Sequence, residues 1–200
     1  MNQEKISKIY IIESPSSVDL LENRVEGNAL ASMLDLMKIP HNYYLAIDDQ
    51  CFANAIVNIT TDIIMNIENG ISICPVIHIS CHGTKEGIVL TNGIIYHWEL
   101  LAMALNCVCR SSTNEQITVV LSSCYGFYGM ECLNGIEDVS GETITIGCTE
   151  EVGWDTALVA FNSFYYNYIV KRVDLDNSVY SMNSSINDAG KFLGVRKRDM

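Results

Sequence analysis

Two short stretches of this sequence pair a reactive side chain with a glycine. His82-Gly83 follows the run Pro75-Val-Ile-His-Ile-Ser80, and Cys124-Tyr125-Gly126 follows Ile117-Thr-Val-Val-Leu121. A thiol and an imidazole are what thiolate chemistry needs. The imidazole takes the thiol proton, the sulfur attacks an acyl carbon, and the imidazolium returns a proton to the leaving amine. The glycine has a use of its own. With no side chain in the way, the N–H of Gly83 can point at a developing oxyanion together with the N–H of Cys124.

Such a pair works only if the fold brings residues 82 and 124 together. The apolar runs before them read as buried strands. Lys8 to Ile12 is a first strand of the same kind. Between Leu20 and Ile39 the apolar residues Leu30, Met33, Leu34 and Met37 fall at helical spacing, and Pro40 ends the helix. A second strand covers Tyr43 to Ile47, and Phe52 to Ile67 is helical up to Asn69-Gly70. Pro75 to Ser80 is the third strand. A hairpin over Gly87 to Ile95 turns at Thr91-Asn92-Gly93, and Trp98 to Leu105 is helical. Ile117 to Leu121 and Thr143 to Gly147 are the fourth and fifth strands, and Thr156 to Val170 is a long aromatic helix. A polar tail from Asp174 carries a last helix near Ser185 to Phe192.

Strands alternating with helices imply βαβ units and a mostly parallel sheet covered on both faces. The expectation is one α/β domain over residues 1–200, a three-layer α/β/α sandwich, with 174–200 as the polar tail. In open sheets of this type, sites form beyond the carboxyl ends of the strands. Glu13-Ser14, Asp48-Asp49, Ser80 to Gly83, Ser122 to Gly126 and Cys148 to Glu151 stand at those ends. If the third and fourth strands are neighbours, about 4.8 Å apart, His82 and Cys124 face each other across one crevice. Cys81 is a rival thiol, but adjacent strand residues point to opposite faces, so it aims away. His78 reads as a core histidine, His41 and His97 as surface residues. Glu150-Glu151 and Asp48-Asp49 read as solvated loops. No glycine-rich phosphate loop follows the first strand, where Glu13-Ser-Pro-Ser stands. That argues against a Rossmann or P-loop cofactor.

Composition narrows the classes further. The chain has 200 residues, 48% hydrophobic and 18% charged, which excludes intrinsic disorder. Its 24 acids against 12 bases give a net charge of −12, a poor balance for binding nucleic acid. Lys191, Arg196, Lys197 and Arg198 cluster in the last ten residues and read as a solvated tail. No apolar run approaches the ~20 residues needed to span a bilayer, and Ile9 to Ile12 is too short for a signal-peptide core. A cytoplasmic chain without membrane contact is expected, with its eight cysteines reduced. Cys107-Val-Cys109, the only tight cysteine pair, is weak zinc evidence, so no metal and no cofactor are expected.

Val76-Ile-His-Ile-Ser-Cys-His-Gly83, followed by Val119-Val-Leu-Ser-Ser-Cys-Tyr-Gly126, resembles the His-Gly and Cys motifs of the caspase-like cysteine peptidases. The CHAT branch, which includes separase relatives, is the most similar. The hairpin Gly87 to Gly93 with Trp98-Glu-Leu100 after it, and the aromatic helix after Trp154-Asp155, fit the same pattern over about residues 8 to 170. The resemblance implies a caspase-like fold. It makes His82 the general base and acid and Cys124 the nucleophile, with Gly83 and Cys124 supplying the oxyanion-hole N–H groups. The reaction it implies is peptide hydrolysis through a thioester acyl-enzyme.

It further implies a small regulated effector protease of a bacterial defence or cell-death pathway, acting on a protein or peptide substrate. An activating partner or a small signalling nucleotide would switch it on, and a homodimer would be in keeping with caspases. The caspase signature is Gln-Ala-Cys-x-Gly with its histidine about 50 residues upstream. Here Ser122-Ser123 replaces Gln-Ala, and the separation from 82 to 124 is shorter. Ser122 also stands where metacaspases carry an acid that selects basic P1 residues. Arg24 is similar in place to the arginine that grips a P1 aspartate in caspases, and Asp155 could line a pocket for Lys or Arg. Ser122, Arg24 and Asp155 are therefore the substrate-pocket candidates. The alternative is a non-catalytic ligand- or partner-binding module on the same fold.

Overall fold

The computed structural model describes residues 4–112, 116–130 and 142–197. Its strands are β1 (Glu4–Ser14), β2 (His41–Leu45), β3 (Ile71–Gly83), β4 (Gly87–Val89), β5 (Ile95–His97), β6 (Ile117–Ser122), β7 (Thr143–Cys148) and β8 (Phe192–Lys197). The helices are α1 (Ser17–Leu21), α2 (Glu26–Met37), α3 (Asp49–Glu68), α4 (Trp98–Ser111), α5 (Trp154–Tyr165) and α6 (Leu175–Ser185). The main sheet runs in the order β2-β1-β3-β6-β7-β8. Every neighbouring pair in it is parallel except β7 with β8. The hairpin β4–β5 continues antiparallel from the end of β3, pairing His82 with Val89 and Gly83 with Ile88.

Strand periodicity divides the core into two layers. Tyr10 and Ile12 of β1, Ile77 and Ile79 of β3, and Val119 and Leu121 of β6 point to one face and pack with α3 and α4. Ile9, Ile11, Val76, Val120 and Ile144 point to the other and pack with α2, α5 and α6. Both faces are covered, so the chain is a three-layer α/β/α fold, as its unbroken apolar strands require. From β1 the chain passes through α2 to β2 on one side. From β2 it returns through α3 to β3 on the other. The carboxyl ends of β1 and β3 therefore flank the point where the winding reverses, which is where such sheets open a crevice.

Two regions differ from the sequence expectation. The helical pattern from Leu20 to Ile39 is broken into α1 and α2. Asn23 takes a left-handed conformation (φ 55°), and the Arg24 N–H closes back on the Asp19 carbonyl at 2.8 Å. The second difference lies in the C-terminal segment. The last helix is at Leu175–Ser185, not near Ser185 to Phe192, and residues 192–197 form an edge strand, not a tail. Asp174 caps that helix by accepting from the Asn177 N–H at 3.0 Å, and Leu175, Ser178 and Met182 bury one stripe of it. Phe192, fully buried, then anchors β8 against β7. Lys191 and Arg196 are in ion pairs with Glu150 (2.7 Å) and Glu142 (3.5 Å); Arg198 lies outside the described residues. The aromatic helix begins at Trp154 and passes after Tyr165 into a π-helical turn, Tyr166–Val170.

Candidate active site

β3 and β6 are neighbours, with Ser80 registered against Ser122, so the ends of the two motifs lie side by side. The motif glycine is what lets them meet. A β-carbon on Gly83 would stand 2.2 Å from the carbonyl oxygen of Cys124, far inside van der Waals contact. Beyond Ser123 the chain turns sharply, with Tyr125 left-handed (φ 57°), and continues as a 3-10 turn over Gly126–Tyr128. The turn is pinned by the Tyr125 N–H donating to the Glu150 carbonyl (3.1 Å) and the Gly126 N–H to the Ser123 carbonyl (3.1 Å). It also lies directly on β7, where a β-carbon on Gly147 would come within 2.6 Å of the Phe127 nitrogen.

Above this turn is an open cleft of about 430 Å³. His82, Ser123 and Cys124 form part of its wall, with Asp19 and Arg24 from the α1 region and Trp154 from the start of α5. Cys124 is partly exposed as a residue. Its sulfur accepts the Val152 N–H at 3.4 Å, and its S–H is placed to donate to the Val152 carbonyl at 3.7 Å. His82 is 43% exposed at its side chain, and its ring meets Trp154 edge-on at 5.1 Å between centroids. Among the described residues no hydrogen bond joins His82 to Cys124. The imidazole Nε2 is engaged with the Asp19 carboxylate, at 2.6 Å. Catalytic contacts commonly tighten only when substrate is bound.

Asp19 was not legible in the sequence as a site residue. It stands in the first turn of a five-residue helix whose apolar pattern is too short to read. Its only local signal is Ser16 three residues before it, a pairing that marks helix starts. Its carboxylate is almost wholly buried. It takes bonds from His82, from the Ser16 hydroxyl (2.5 Å), from Trp154 and from Arg24 (2.9 Å). Burial alone would raise this acid. The bonds from Ser16, His82 and Trp154, with the His82 charge, outweigh that and hold it below the ordinary carboxylate range.

The pocket candidates fare unequally. Arg24 lines the cleft, but its guanidinium is paired twice, to Asp19 and to Glu22, each at 2.9 Å. Asp155 lines the cleft and is exposed, with one oxygen accepting the Thr156 N–H at 2.8 Å. Ser122 is fully buried and does not reach the cleft. Its neighbour Ser123 does, because the alternation along β6 turns Ser122 down onto the sheet. Cys81, expected to aim away from the crevice, is buried against the α3–α4 layer yet also borders the cleft beside His82, and desolvation pushes its thiol far up. Glu150 is paired to Lys191, and Asp48 caps α3 by accepting the Cys51 N–H at 2.7 Å.

A separate buried cluster lies deeper under the α2–α5 face. His78, wholly inaccessible, is bonded through Nδ1 to the Tyr165 hydroxyl (2.8 Å) and through Nε2 to Glu26 (3.4 Å). Glu13 is also buried. It accepts the Gly27 and Asn28 N–H groups at the start of α2 and the Tyr43 hydroxyl. The Glu13 bonds orient the start of α2 on the sheet, while one carboxylate oxygen of Glu26 is buried without a hydrogen-bond partner.

The described cysteines are all free thiols; Cys132 lies outside the described residues. Among the described residues, no three His, Cys, Asp or Glu side chains are grouped to hold a metal ion, and no helix is long and apolar enough to cross a membrane. No protein-family model matches the chain, and no curated protein matches it significantly in sequence.

Proposed function

We propose that the chain is a cysteine endopeptidase in which Cys124 is the nucleophile and His82 the general base and acid. The observation that carries this reading is the juxtaposition of the two motifs. Gly83 is packed against the Cys124 carbonyl, and His82 and Cys124 line one open cleft at the carboxyl edge of the sheet. A cysteine at a strained turn, with a backbone N–H on its sulfur and an imidazole in the same cleft, has the parts of an activated thiol.

In the proposed reaction His82 takes the Cys124 proton and the sulfur adds to the scissile carbonyl carbon. The resulting oxyanion is held by the N–H groups of Gly83 and Cys124. As the C–N bond breaks, His82 gives its proton to the departing amine, leaving a thioester. Water, deprotonated by His82, then adds to the thioester carbonyl, and the carboxylic acid departs as the thiol re-forms. The motif resemblance extends the proposal to a regulated effector of a bacterial defence or cell-death pathway, awaiting a partner or a small signalling nucleotide.

The test compares wild type, Cys124→Ala and His82→Ala, each expressed in cells and each purified. Proteolysis of cellular proteins, or cleavage of a broad peptide library, should be present in wild type and absent in both variants. Equal behaviour of all three, with and without the products of neighbouring genes, would leave a non-catalytic binding module on the same fold.

A further inference from the structure

We propose that Asp19 is a positioning residue for His82. It holds the proton of the resting imidazole on Nε2 and so leaves Nδ1 as the atom that exchanges a proton with Cys124. The inference rests on the reading of His82 and Cys124 as base and nucleophile.

A carboxylate is seldom fully buried unless it is paired, and Asp19 is 2% exposed at the edge of an open cleft. The bland explanation is helix capping. Ser16 accepts the Asp19 N–H at 3.1 Å and donates its hydroxyl to Asp19 Oδ2, as at many helix starts. Capping accounts for those two bonds and for no others. The same Oδ2 is 2.6 Å from His82 Nε2, and Oδ1 is 2.9 Å from the Arg24 guanidinium. Trp154 bonds the carboxylate and also packs edge-on against the His82 ring. Three separate chain segments thus fix one carboxylate against one imidazole nitrogen.

An ionised carboxylate only accepts hydrogen bonds, so the proton between Asp19 and Nε2 belongs to the imidazole. In the neutral ring the other nitrogen then carries the lone pair. When that nitrogen takes the thiol proton, the imidazolium that forms faces a negative charge already in place. The charged groups around the pair are Arg24 and, through it, Glu22, from the α1–α2 turn, with Asp155 from α5 and the Cys124 sulfur across the cleft. Arg24, 2.9 Å from the Asp19 carboxylate, balances part of its charge.

Two measurements on the full chain test this without a known substrate. The first is the ¹⁵N spectrum of the His82 imidazole in wild type near neutral pH, assigned with His82→Ala. The Nε2–H tautomer is expected; the Nδ1–H tautomer would overturn the inference whether or not any variant folds. The second is the rate of alkylation of Cys124 by iodoacetamide from pH 5 to 9, followed by mass spectrometry of the peptide carrying residue 124. Asp19→Asn should move the midpoint of that profile upward by about one pH unit, roughly a tenfold loss of rate near neutrality, since a pKa unit is about 1.4 kcal/mol. An unchanged profile and tautomer in Asp19→Asn would refute the role of Asp19. A profile that His82→Ala leaves unmoved would instead refute the proposed dyad, so the two failures are distinct.

Discussion

The backbone of Gly83 touches the backbone of Cys124: only the missing β-carbon lets the carbonyl oxygen of Cys124 sit where it does, since that carbon would lie 2.2 Å away. The glycine after His82 is thus a packing requirement of the cysteine turn, whatever its N–H does in catalysis. Gly83→Ala must displace β3 or the turn, and forced shifts of this kind typically cost about 1–3 kcal/mol. The variant should unfold at lower denaturant and lose at least tenfold in Cys124 alkylation rate. An alkylation rate equal to wild type would show that the turn can yield without disturbing the thiol.

Arg24 lines the cleft with both ends of its guanidinium committed to Asp19 and Glu22. An acidic P1 side chain would have to displace one of those partners, whereas the exposed Asp155 on the cleft can pair with a cationic one. Cleavage sites mapped on a peptide library should therefore show no enrichment of Asp or Glu at P1. Ser122→Ala should leave the site preference unaltered, since its side chain is under the sheet surface. Enrichment of acidic P1 residues, abolished by Arg24→Ala, would reverse this assignment.

Two buried acids pull stability in opposite directions with pH. The carboxyl of Asp19 is held below its ordinary value of 3.8. Its contribution is complete above that pH and is lost as pH falls through the lowered folded value. Glu13 is held above its ordinary 4.5, chiefly by burial, against the bonds from Tyr43, Gly27 and Asn28. Its contribution is complete below that pH and is lost as pH rises through the raised folded value. Urea midpoints measured from pH 2 to 7 should lose part of their acid-side slope in Asp19→Asn. Glu13→Gln should remove a decline on the higher-pH side. Parallel curves for all three proteins would contradict both shifts.

Tyr165 and His78 are buried partners far from the cleft. Tyr165→Phe leaves the His78 Nδ1 without its hydroxyl and should cost about 1–3 kcal/mol by chemical denaturation. Cys124 alkylation should keep its wild-type pH profile. A shifted profile would mean that this cluster and the cleft are coupled.

The five parallel strands were legible because a parallel sheet writes itself as apolar runs between helical patterns, but their order across the sheet was not. That His82 and Cys124 follow strand ends came from the same reading; that those strands are neighbours came from the β3–β6 pairing. Asp19 was not legible, because a five-residue helix has too little periodicity to read, and the turn at Asn23 that returns Arg24 to it has no apolar signature. Ser122 and Ser123 were separable only once the end of β6 was fixed, as one step along a strand exchanges cleft for core. The C-terminal edge strand was hidden by its composition. Leu193 and Val195 face outward and Arg196 follows, so its alternation reads as polar tail.

The cleft draws its groups from residues 19–24, 81–82, 123–124 and 152–155, four stations spread along most of the chain. Loops that long close late in folding, because their entropy is lost before their contacts are gained. A chain emerging from the ribosome therefore lacks one wall of the Cys124 cleft until the segment with Val152 and Trp154 has been synthesised and docked. On the proposed reading, the order of synthesis would itself keep Cys124 silent while the protein is being made.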